Sequence, residues 1–294
     1  MLTGDLQHFL AGLEADASLY EPGQIRARLD ALDRLEMAFG DLLPGEVSQD
    51  PALASIRQRA KAVRNRLESV NFDLYASIRS EVKRGAHPHA ILPWIQASDH
   101  HGKSKHPDSG LSYDFSDEAL SGILQLREPA RTDIRPDPES VFYQPTPVRH
   151  ILQLITVSAL SETDVLVDLG SGLGHVPMLV SILSGVRSVG IELEASYVAI
   201  AQECAERLSL TKVSFVQQDA RLADLSSGTV FYLYTPFTGS ILANVLNRLR
   251  QQSNKRSIKI ITLGPCTSIV AMEPWLRASA PPDPGQITLF HPLN

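Results

Sequence analysis

Apolar residues in the first part of the chain recur every three or four positions, which is the spacing of one face of an α-helix. The clearest runs span residues 25–42 and 51–85, and Pro-Gly-Glu at 44–46 separates them. Between its ends the second run contains no glycine or proline, so it predicts a helix about 50 Å long at 1.5 Å per residue. We therefore expect a helical domain over residues 1–97, in which these two helices pack together.

From residue 141 the pattern changes to short β-branched runs that alternate with helical stretches. This alternation is typical of a parallel sheet with helices on both faces, so residues 141–294 predict a doubly wound α/β domain. The last run, 286–293, is expected to be an antiparallel strand at one edge. The other predicted strands are 164–170, 188–193, 212–219, 229–235 and 257–264, and the predicted helices are 175–184, 195–208 and 238–252.

Residues 98–140 connect the two parts and are polar, with prolines towards the end and a short predicted helix at 116–126. Two interpretations stay open for this segment, a polar loop or a lid over the domain that follows it. A histidine-rich stretch lies at 87–106, but its spacing is irregular and no cysteine is nearby, so we predict no metal ligands. Its histidines are His87, His89, His100, His101 and His106.

The composition is that of a soluble globular protein, with 43% hydrophobic and 20% charged residues among 294. No apolar run approaches the roughly 20 residues of a membrane span. The N-terminus has no basic segment ahead of an apolar one, so we expect neither a signal peptide nor membrane association. Two cysteines, Cys204 and Cys266, are too few for a disulfide framework, which favours a cytoplasmic location.

The charge is unevenly distributed along the helical part. Residues 1–50 carry 3 Lys/Arg and 10 Asp/Glu, whereas residues 51–85 carry 8 and 3. This difference favours packing of an acidic helix on a basic one, within one chain or across a homodimer. An alternative makes residues 56–66 a phosphate-binding face, but the net charge of −6 disfavours nucleic acid as the partner.

Three glycines at alternate positions, Gly170, Gly172 and Gly174, directly follow the first strand of the α/β part. Glycine is entropically costly in ordered backbone, so the cluster suggests a ligand close to the main chain. A dinucleotide fits poorly, because its G-x-G-x-x-G pattern needs a glycine where His175 stands. Asp168 would also repel a pyrophosphate, but it would attract the ammonium and sulfonium of S-adenosylmethionine.

Two further acids follow the next two strands. Glu192, 22 residues after Gly170, is placed to accept hydrogen bonds from both ribose hydroxyls. Asp219 is placed to accept the adenine amino group, with the Ala220 amide as a partner for the ring. Either acid alone is consistent with a helix cap or a turn, as is Asp168. Three acids at three successive strand ends favour an adenosine-containing ligand.

This arrangement resembles the class I, seven-strand S-adenosylmethionine-dependent methyltransferases over residues 141–294. The motifs that carry the resemblance are VDLGSGLGH, GIELE, QQDA and VFYLYTPF. It implies a Rossmann-like seven-strand sheet, S-adenosylmethionine as the cofactor and methyl transfer as the reaction. It also implies that Ser171, within the glycine loop, contacts the cofactor.

A narrower resemblance lies just upstream, in VFYQPTPVRHILQLI at residues 141–155. This segment is similar to one in the non-SET lysine methyltransferases, the group that includes nucleosome-core histone enzymes and ATP-synthase c-subunit enzymes. The resemblance implies that Tyr143 and Thr146 lie beside the methionine end of the cofactor. An alternative explains the same residues as a helix start, with Thr146 as N-cap and Pro147 at the first helical position.

The fourth strand ends in YLYTPFTG, which departs from the Asn/Asp-Pro-Pro-aromatic motif of enzymes that methylate adenine or glutamine. Tyr234, Thr235 and Phe237 would instead form an aromatic, partly polar wall that suits a lysine amine, a phenol or a small acid. If a general base is used, Tyr234 is the first candidate and Tyr143 the second. The expected acceptor is a protein side chain or a small molecule.

Three other functions stay open at this point. One is a regulator that binds S-adenosylmethionine without turnover. Another is an RNA or DNA methyltransferase that uses the basic helix at 51–85. A nicotinamide-dependent oxidoreductase is disfavoured by the glycine spacing.

Overall fold

The chain divides into two compact units, Met1–Arg79 and Ser80–Asn294. The division falls before the predicted boundary at residue 97, because a short helix at 92–95 packs against the helix at 115–124 and belongs to the second unit. The computed structural model describes residues 3–39, 51–85, 88–96, 112–127, 129 and 138–293.

Among the described residues of the first unit, the α-helices are α1 (Thr3–Ala15), α2 (Ile25–Phe39) and α3, which runs from Pro51 to Lys83 and so ends beyond Arg79. The helical character predicted for this region is confirmed. Many of its apolar side chains meet in one buried cluster within the unit. Leu10, Leu35, Phe39, Ile56 and Leu67 are among the members of that cluster.

A buried arginine fastens the start of α2 to its surroundings. Arg28 is fully buried, and its Nε donates to Asn71 Oδ1 of α3 at 2.7 Å. Its other nitrogens donate to the carbonyl oxygens of Leu19, Glu21 and Pro22 in the turns that precede α2. Because a buried guanidinium needs hydrogen-bond partners, these contacts hold the turns before α2 against the Arg28 side chain.

The basic side chains of α3 are engaged within the first unit at several positions. Arg59 Nε donates to Glu14 Oε1 of α1 at 2.9 Å, which links a basic helix to an acidic one. Arg64 pairs with Glu68 on the same helix at 2.7 Å, and the Arg66 guanidinium lies 4.0 Å from the centre of the Tyr20 ring. These contacts give the phosphate-binding alternative no support, and the predicted homodimer stays a prediction.

The second unit is built on a mostly parallel sheet of seven strands in the order β3-β2-β1-β4-β5-β7-β6. The predicted fold class is confirmed. The last strand is antiparallel, as predicted, but it lies between β5 and β6, so its placement at the edge was wrong. The edge strand β6 has three residues, too few for a visible pattern. The strands are β1 (Val165–Leu169), β2 (Arg187–Glu192), β3 (Val213–Gln217), β4 (Val230–Tyr234), β5 (Lys259–Leu263), β6 (Leu276–Ala278) and β7 (Thr288–Pro292).

Helices cover both faces of this sheet, and the central strands are buried throughout. Phe231 and Leu233 of β4 pack with Leu242 and Val245 of the following helix in the main core cluster. The helices are α4 (Leu92–Ile95), α5 (Phe115–Leu124), α6 (Val148–Ser158), α7 (His175–Ser184), α8 (Ala195–Arg207), α9 (Gly239–Ser253) and α10 (Cys266–Val270).

Much of the predicted connection 98–140 lies outside the described residues, as do His87, His100, His101 and His106. The described part of that connection includes helix α5, and His89 lies in a short 3-10 turn. Among the described residues, no cluster of three or more His, Cys, Asp or Glu could hold a metal ion. No described helix has both the length and the hydropathy needed to cross a membrane.

Candidate active site

A cavity of about 940 Å³ opens at the carboxyl ends of the parallel strands, where doubly wound sheets bind their ligands. One side is formed by residues 140–146, which are extended. We call residues 138–147, which include this stretch, the crossing segment. The other sides are formed by the loops that follow four neighbouring strands. The lining residues from those loops are at 170–171, 192–194, 218–221 and 234–238.

Four of the predicted residues belong to the loop after β1. Gly170 and Ser171 line the cavity, and both backbone N–H groups donate to Ile191 O, at 2.9 and 3.0 Å. Gly172 and Gly174 are buried and are not among the lining residues. The Ser171 hydroxyl oxygen is buried against Gly190 of β2 and has no hydrogen-bond partner among the described residues.

The protein itself explains why Gly172 and Gly174 lack side chains. Both have positive φ, 52° and 84°, a conformation that favours glycine. A Cβ on Gly172 would lie 2.0 Å from the Tyr143 ring, and one on Gly174 would lie 2.4 Å from the Phe215 ring. All three glycines were predicted to leave space for a ligand. At Gly172 and Gly174, aromatic side chains of the protein occupy that space.

Glu192 lies at the end of β2 and holds the glycine loop in place. Its Oε2 accepts a hydrogen bond from Gly172 N at 2.8 Å, and its Oε1 accepts from Leu193 N at 2.7 Å and Glu194 N at 2.9 Å. A carboxylate offers about four acceptor positions, so one remains for a ligand. This structural role was not predicted from the sequence.

Asp168 is a buried carboxyl group in the cavity lining, 4% exposed at the end of β1. Burial raises its pKa well above the usual value, and the negative charge of Glu192 raises the pKa further. A cation placed near these two carboxyl groups would favour the ionised form of Asp168.

Tyr143 of the crossing segment is held from three sides. Its ring covers Gly172 and lies 5.0 Å, centre to centre, from the ring of Tyr197 in α8. Its hydroxyl group is 3.1 Å from His175 Nδ1, at the first position of α7. Burial lowers the pKa of His175 to about 4, so the ring is neutral near pH 7. His175 was missed as a site residue, although it directly follows the last glycine of the loop.

Helix α6 does not start as the alternative with Thr146 as its N-cap predicted. The Thr146 hydroxyl oxygen lies 3.0 Å from the hydroxyl oxygen of Tyr232 in β4, and α6 begins at Val148. The N–H of Val148 donates instead to Asp117 Oδ1 of α5, at 2.7 Å. The side chain of Thr146 is thus directed to the sheet, and an acid 31 residues upstream supplies the cap.

The loop after β4 carries the predicted aromatic wall. Tyr234 and Phe237 line the cavity, and the Tyr234 hydroxyl donates to Gln144 Oε1 of the crossing segment at 3.3 Å. Burial raises the pKa of Tyr234, so its hydroxyl is protonated near neutral pH. Thr235 also lines the cavity, at a φ of 40° that is strained for a β-branched residue. Its hydroxyl group is engaged elsewhere, donating to Leu263 O at 3.1 Å and accepting from Cys266 N at 3.0 Å.

The loop after β3 contributes Asp219 and Ala220 to the cavity lining. The Asp219 carboxylate is bound by Arg221, whose Nη2 lies 2.6 Å from Oδ2. The carbonyl oxygen of Ala220 accepts a hydrogen bond from Arg248 of α9 at 3.0 Å. The structure thus brings nine of the eleven predicted cofactor residues to one cavity: Tyr143, Thr146, Asp168, Gly170, Ser171, Glu192, Asp219, Ala220 and Tyr234.

The model of a family described as "Histone methylation protein DOT1" matches residues 139–228 of this chain. The matched stretch begins at the crossing segment, includes β1 to β3 and ends before β4. No curated protein matches the chain.

Several solved structures similar to this chain are described as methyltransferases. One is an RNA methyltransferase from Salinibacter ruber in complex with S-adenosyl-L-homocysteine, which is 28% identical in sequence. The match covers 50% of this chain and 92% of that chain, with a TM-score of 0.42. Another is an S-adenosylmethionine-dependent methyltransferase from Aquifex aeolicus, which is 15% identical in sequence. The match covers 48% of this chain and 87% of that chain, with a TM-score of 0.39.

The strand order, the glycine loop, the acids at successive strand ends and the family match agree with one another. The chain has the Rossmann-like fold of the class I methyltransferases and is an S-adenosylmethionine-dependent methyltransferase. Its cofactor is S-adenosylmethionine, and the resemblance inferred from the sequence motifs is confirmed.

The burial of His175 generates a prediction about pH. We expect the imidazole to titrate near 4, whereas an unfolded histidine titrates near 6.5. The unfolded state therefore binds the proton first, and the stability contributed by the neutral ring is present above about pH 6.5 and is lost as the pH falls towards 4. At pH 5 the expected loss is about 2 kcal/mol of unfolding free energy.

NMR titration of the histidine rings measures this pKa, with assignment of the signal through a His175→Gln variant. A His175 pKa at or above 6 would contradict the burial argument. The variant should also lose less unfolding free energy than the unmodified protein between pH 7.5 and pH 5.

Proposed function

We propose that this methyltransferase transfers the methyl group of S-adenosylmethionine to the side-chain amine of a lysine in a protein. The observation that carries the proposal is the crossing segment, which places Tyr143 and Thr146 beside the glycine loop and β4. This segment lies inside the stretch that matches a family named for histone methylation. A small-molecule acceptor has no such observation in its favour.

The carboxyl groups at the strand ends fit the cofactor in one direction. Asp168, at the end of β1, suits the cationic methionine end, the free acceptor position of Glu192 suits the ribose, and Asp219 suits the adenine amino group. We assign cofactor binding to Tyr143, Thr146, Asp168, Gly170, Ser171, Gly172, Gly174, Glu192, Asp219, Ala220 and Tyr234, with Gly172 and Gly174 acting through the shape of the loop.

When bound, S-adenosylmethionine supplies an electrophilic methyl group on a sulfonium. The residues of this chain then need only place the acceptor nitrogen in line with that group and exclude water, since proximity and orientation supply much of the rate. The rings of Tyr143, Tyr234 and Phe237 would face the cationic centres.

Tyr234 is the first candidate for contact with the acceptor amine, and Tyr143 is the second. The raised pKa of Tyr234 argues against its predicted role as a general base and favours a hydrogen-bonding role. Its hydroxyl hydrogen is directed to Gln144, which leaves the hydroxyl oxygen free to accept from an amine N–H. A partly buried lysine amine is neutral more readily than an exposed one, so it can enter without a strong base.

Two broader properties belong to the same proposal. Cys204 and Cys266 are buried as free thiols, which supports a reducing, cytoplasmic compartment. The predicted homodimer through the helices of the first unit belongs to the same proposal; Met37 and Phe72 are exposed on these helices, 80% and 59%.

The assignment of Glu192 is tested by replacing it with alanine. Both the ribose acceptor and the link to the glycine loop are lost, so we expect S-adenosylhomocysteine to bind at least about tenfold more weakly, as for a lost hydrogen bond to a charged group. Calorimetry measures the Kd. Glu203→Ala, an exposed acid on α8, is the matched control. A Kd for Glu192→Ala within twofold of the control would contradict the assignment.

The acceptor is tested by supplying labelled cofactor together with lysine-bearing proteins, free amines, phenols, RNA and DNA. We expect label in protein, recovered as methyl-lysine after acid hydrolysis. Label in nucleic acid, lost when Arg57, Arg59 and Lys61 are neutralised, would contradict the proposal and assign the basic helix to substrate binding.

The role of Tyr234 is tested in the same assay. Tyr234→Phe should leave the Kd for cofactor within twofold and lower kcat roughly five- to tenfold, because one hydrogen bond to the amine is removed. Tyr20→Phe, which keeps the ring beneath Arg66, is the control. An unchanged kcat would show that the Tyr234 hydroxyl does not contact the amine.

A further inference from the structure

Arg221 encloses the carboxylate that is assigned to adenine. Its backbone N–H donates to Asp219 Oδ1 at 2.8 Å, and its Nε lies 3.0 Å from both carboxylate oxygens. Its Nη2 donates to Asp219 Oδ2 at 2.6 Å. Both residues line the cavity. The pair is therefore part of the binding site and not of the outer surface alone.

The geometry leaves Asp219 able to bind one more donor. Three N–H protons of Arg221 are shared among the roughly four acceptor positions of the carboxylate, and the single Nε proton is divided between both oxygens, so a further donor can take one of the positions that Nε shares. The fork of two side-chain donors fixes the plane of the carboxylate, as is usual for arginine and carboxylate groups. The guanidinium also lowers the pKa of Asp219, so the group stays ionised and acts only as an acceptor.

The loop that carries this pair is anchored on its other side. Arg248 of α9 donates to the carbonyl oxygens of Ala220 and Ala223, at 3.0 and 2.5 Å. The positive charge of Arg221 also acts on the Glu139 carboxylate and is one of the causes that lower its pKa. Glu139 belongs to the crossing segment and accepts from Ser240 N and Ile241 N at the start of α9, each at 3.0 Å. Arg221 thus belongs to the loop after β3, and its charge acts on Glu139 of the crossing segment.

We propose that Arg221 is a positioning residue for base recognition: it fixes the Asp219 carboxylate as an acceptor for the exocyclic amine of adenine and covers that end of the cavity. The inference rests on the proposed assignment of Asp219 to adenine. It gives Arg221 a role in selecting the base of the cofactor, which a solvent-exposed ion pair would not have.

The test compares two ligands that differ only at the base, S-adenosylhomocysteine and its deaminated analogue S-inosylhomocysteine. The analogue presents a carbonyl oxygen where adenine has its amine, so an oriented carboxylate should reject it. We expect the unmodified protein to prefer the adenine ligand by at least about tenfold in Kd. Calorimetry measures both Kd values for each variant.

Arg221→Met removes the fork and keeps much of the side-chain length. It should lose most of the preference that Asp219→Asn loses, and the double variant should lose no more than Asp219→Asn alone. Arg221→Lys, which keeps the charge without the fork, should not restore the preference. Arg277→Met, an exposed arginine on β6, is the control and should leave the preference unchanged.

The role of Arg221 and the assignment of Asp219 can be contradicted separately. If Arg221→Met keeps the preference within twofold while Asp219→Asn abolishes it, the inference about Arg221 is wrong and the assignment of Asp219 stands. If Asp219→Asn leaves the preference unchanged, the assignment of Asp219 to adenine is wrong, and the inference falls with it.

Discussion

The carboxylate of Glu192 is the contact on which the geometry of the site depends. By accepting hydrogen bonds from Gly172, Leu193 and Glu194 it fixes the loop after β1 against the end of β2. The ring of Tyr143 then packs on Gly172, so the position of the crossing segment follows from the position of the glycine loop. A cavity whose sides come from five separate stretches needs such links, because the sheet alone does not determine loop conformation.

The crossing segment is fastened at both of its ends. Glu139 is bound at the start of α9, and Val141 N donates to Pro236 O of the loop after β4 at 3.1 Å. At the other end, Asp117 of α5 caps α6, and the Tyr113 hydroxyl donates to Pro145 O at 2.8 Å. These links hold the aromatic groups in place before any ligand binds, which is the preorganisation that methyl transfer requires.

The sequence was sufficient to predict the sheet and most of the cavity, because alternation of short strands with helices is a local pattern. It was insufficient for β6, which is three residues long, and for contacts between distant residues, such as the Asp117 cap on α6. The pairing of Asp219 with Arg221 was missed because it depends on the conformation of one loop. The glycine pattern pointed to the right loop, but packing against Tyr143 and Phe215 explains Gly172 and Gly174, and no sequence pattern reveals that packing.

A crystal structure with S-adenosylhomocysteine tests the central claim most directly, namely that three strand ends and the crossing segment form one cofactor site. The account predicts the base beside Asp219, a ribose hydroxyl on Glu192, and the sulfur atom beside Tyr143 and Tyr234. A ligand bound in the reverse direction, or bound without contact to Glu192 and the crossing segment, would contradict it.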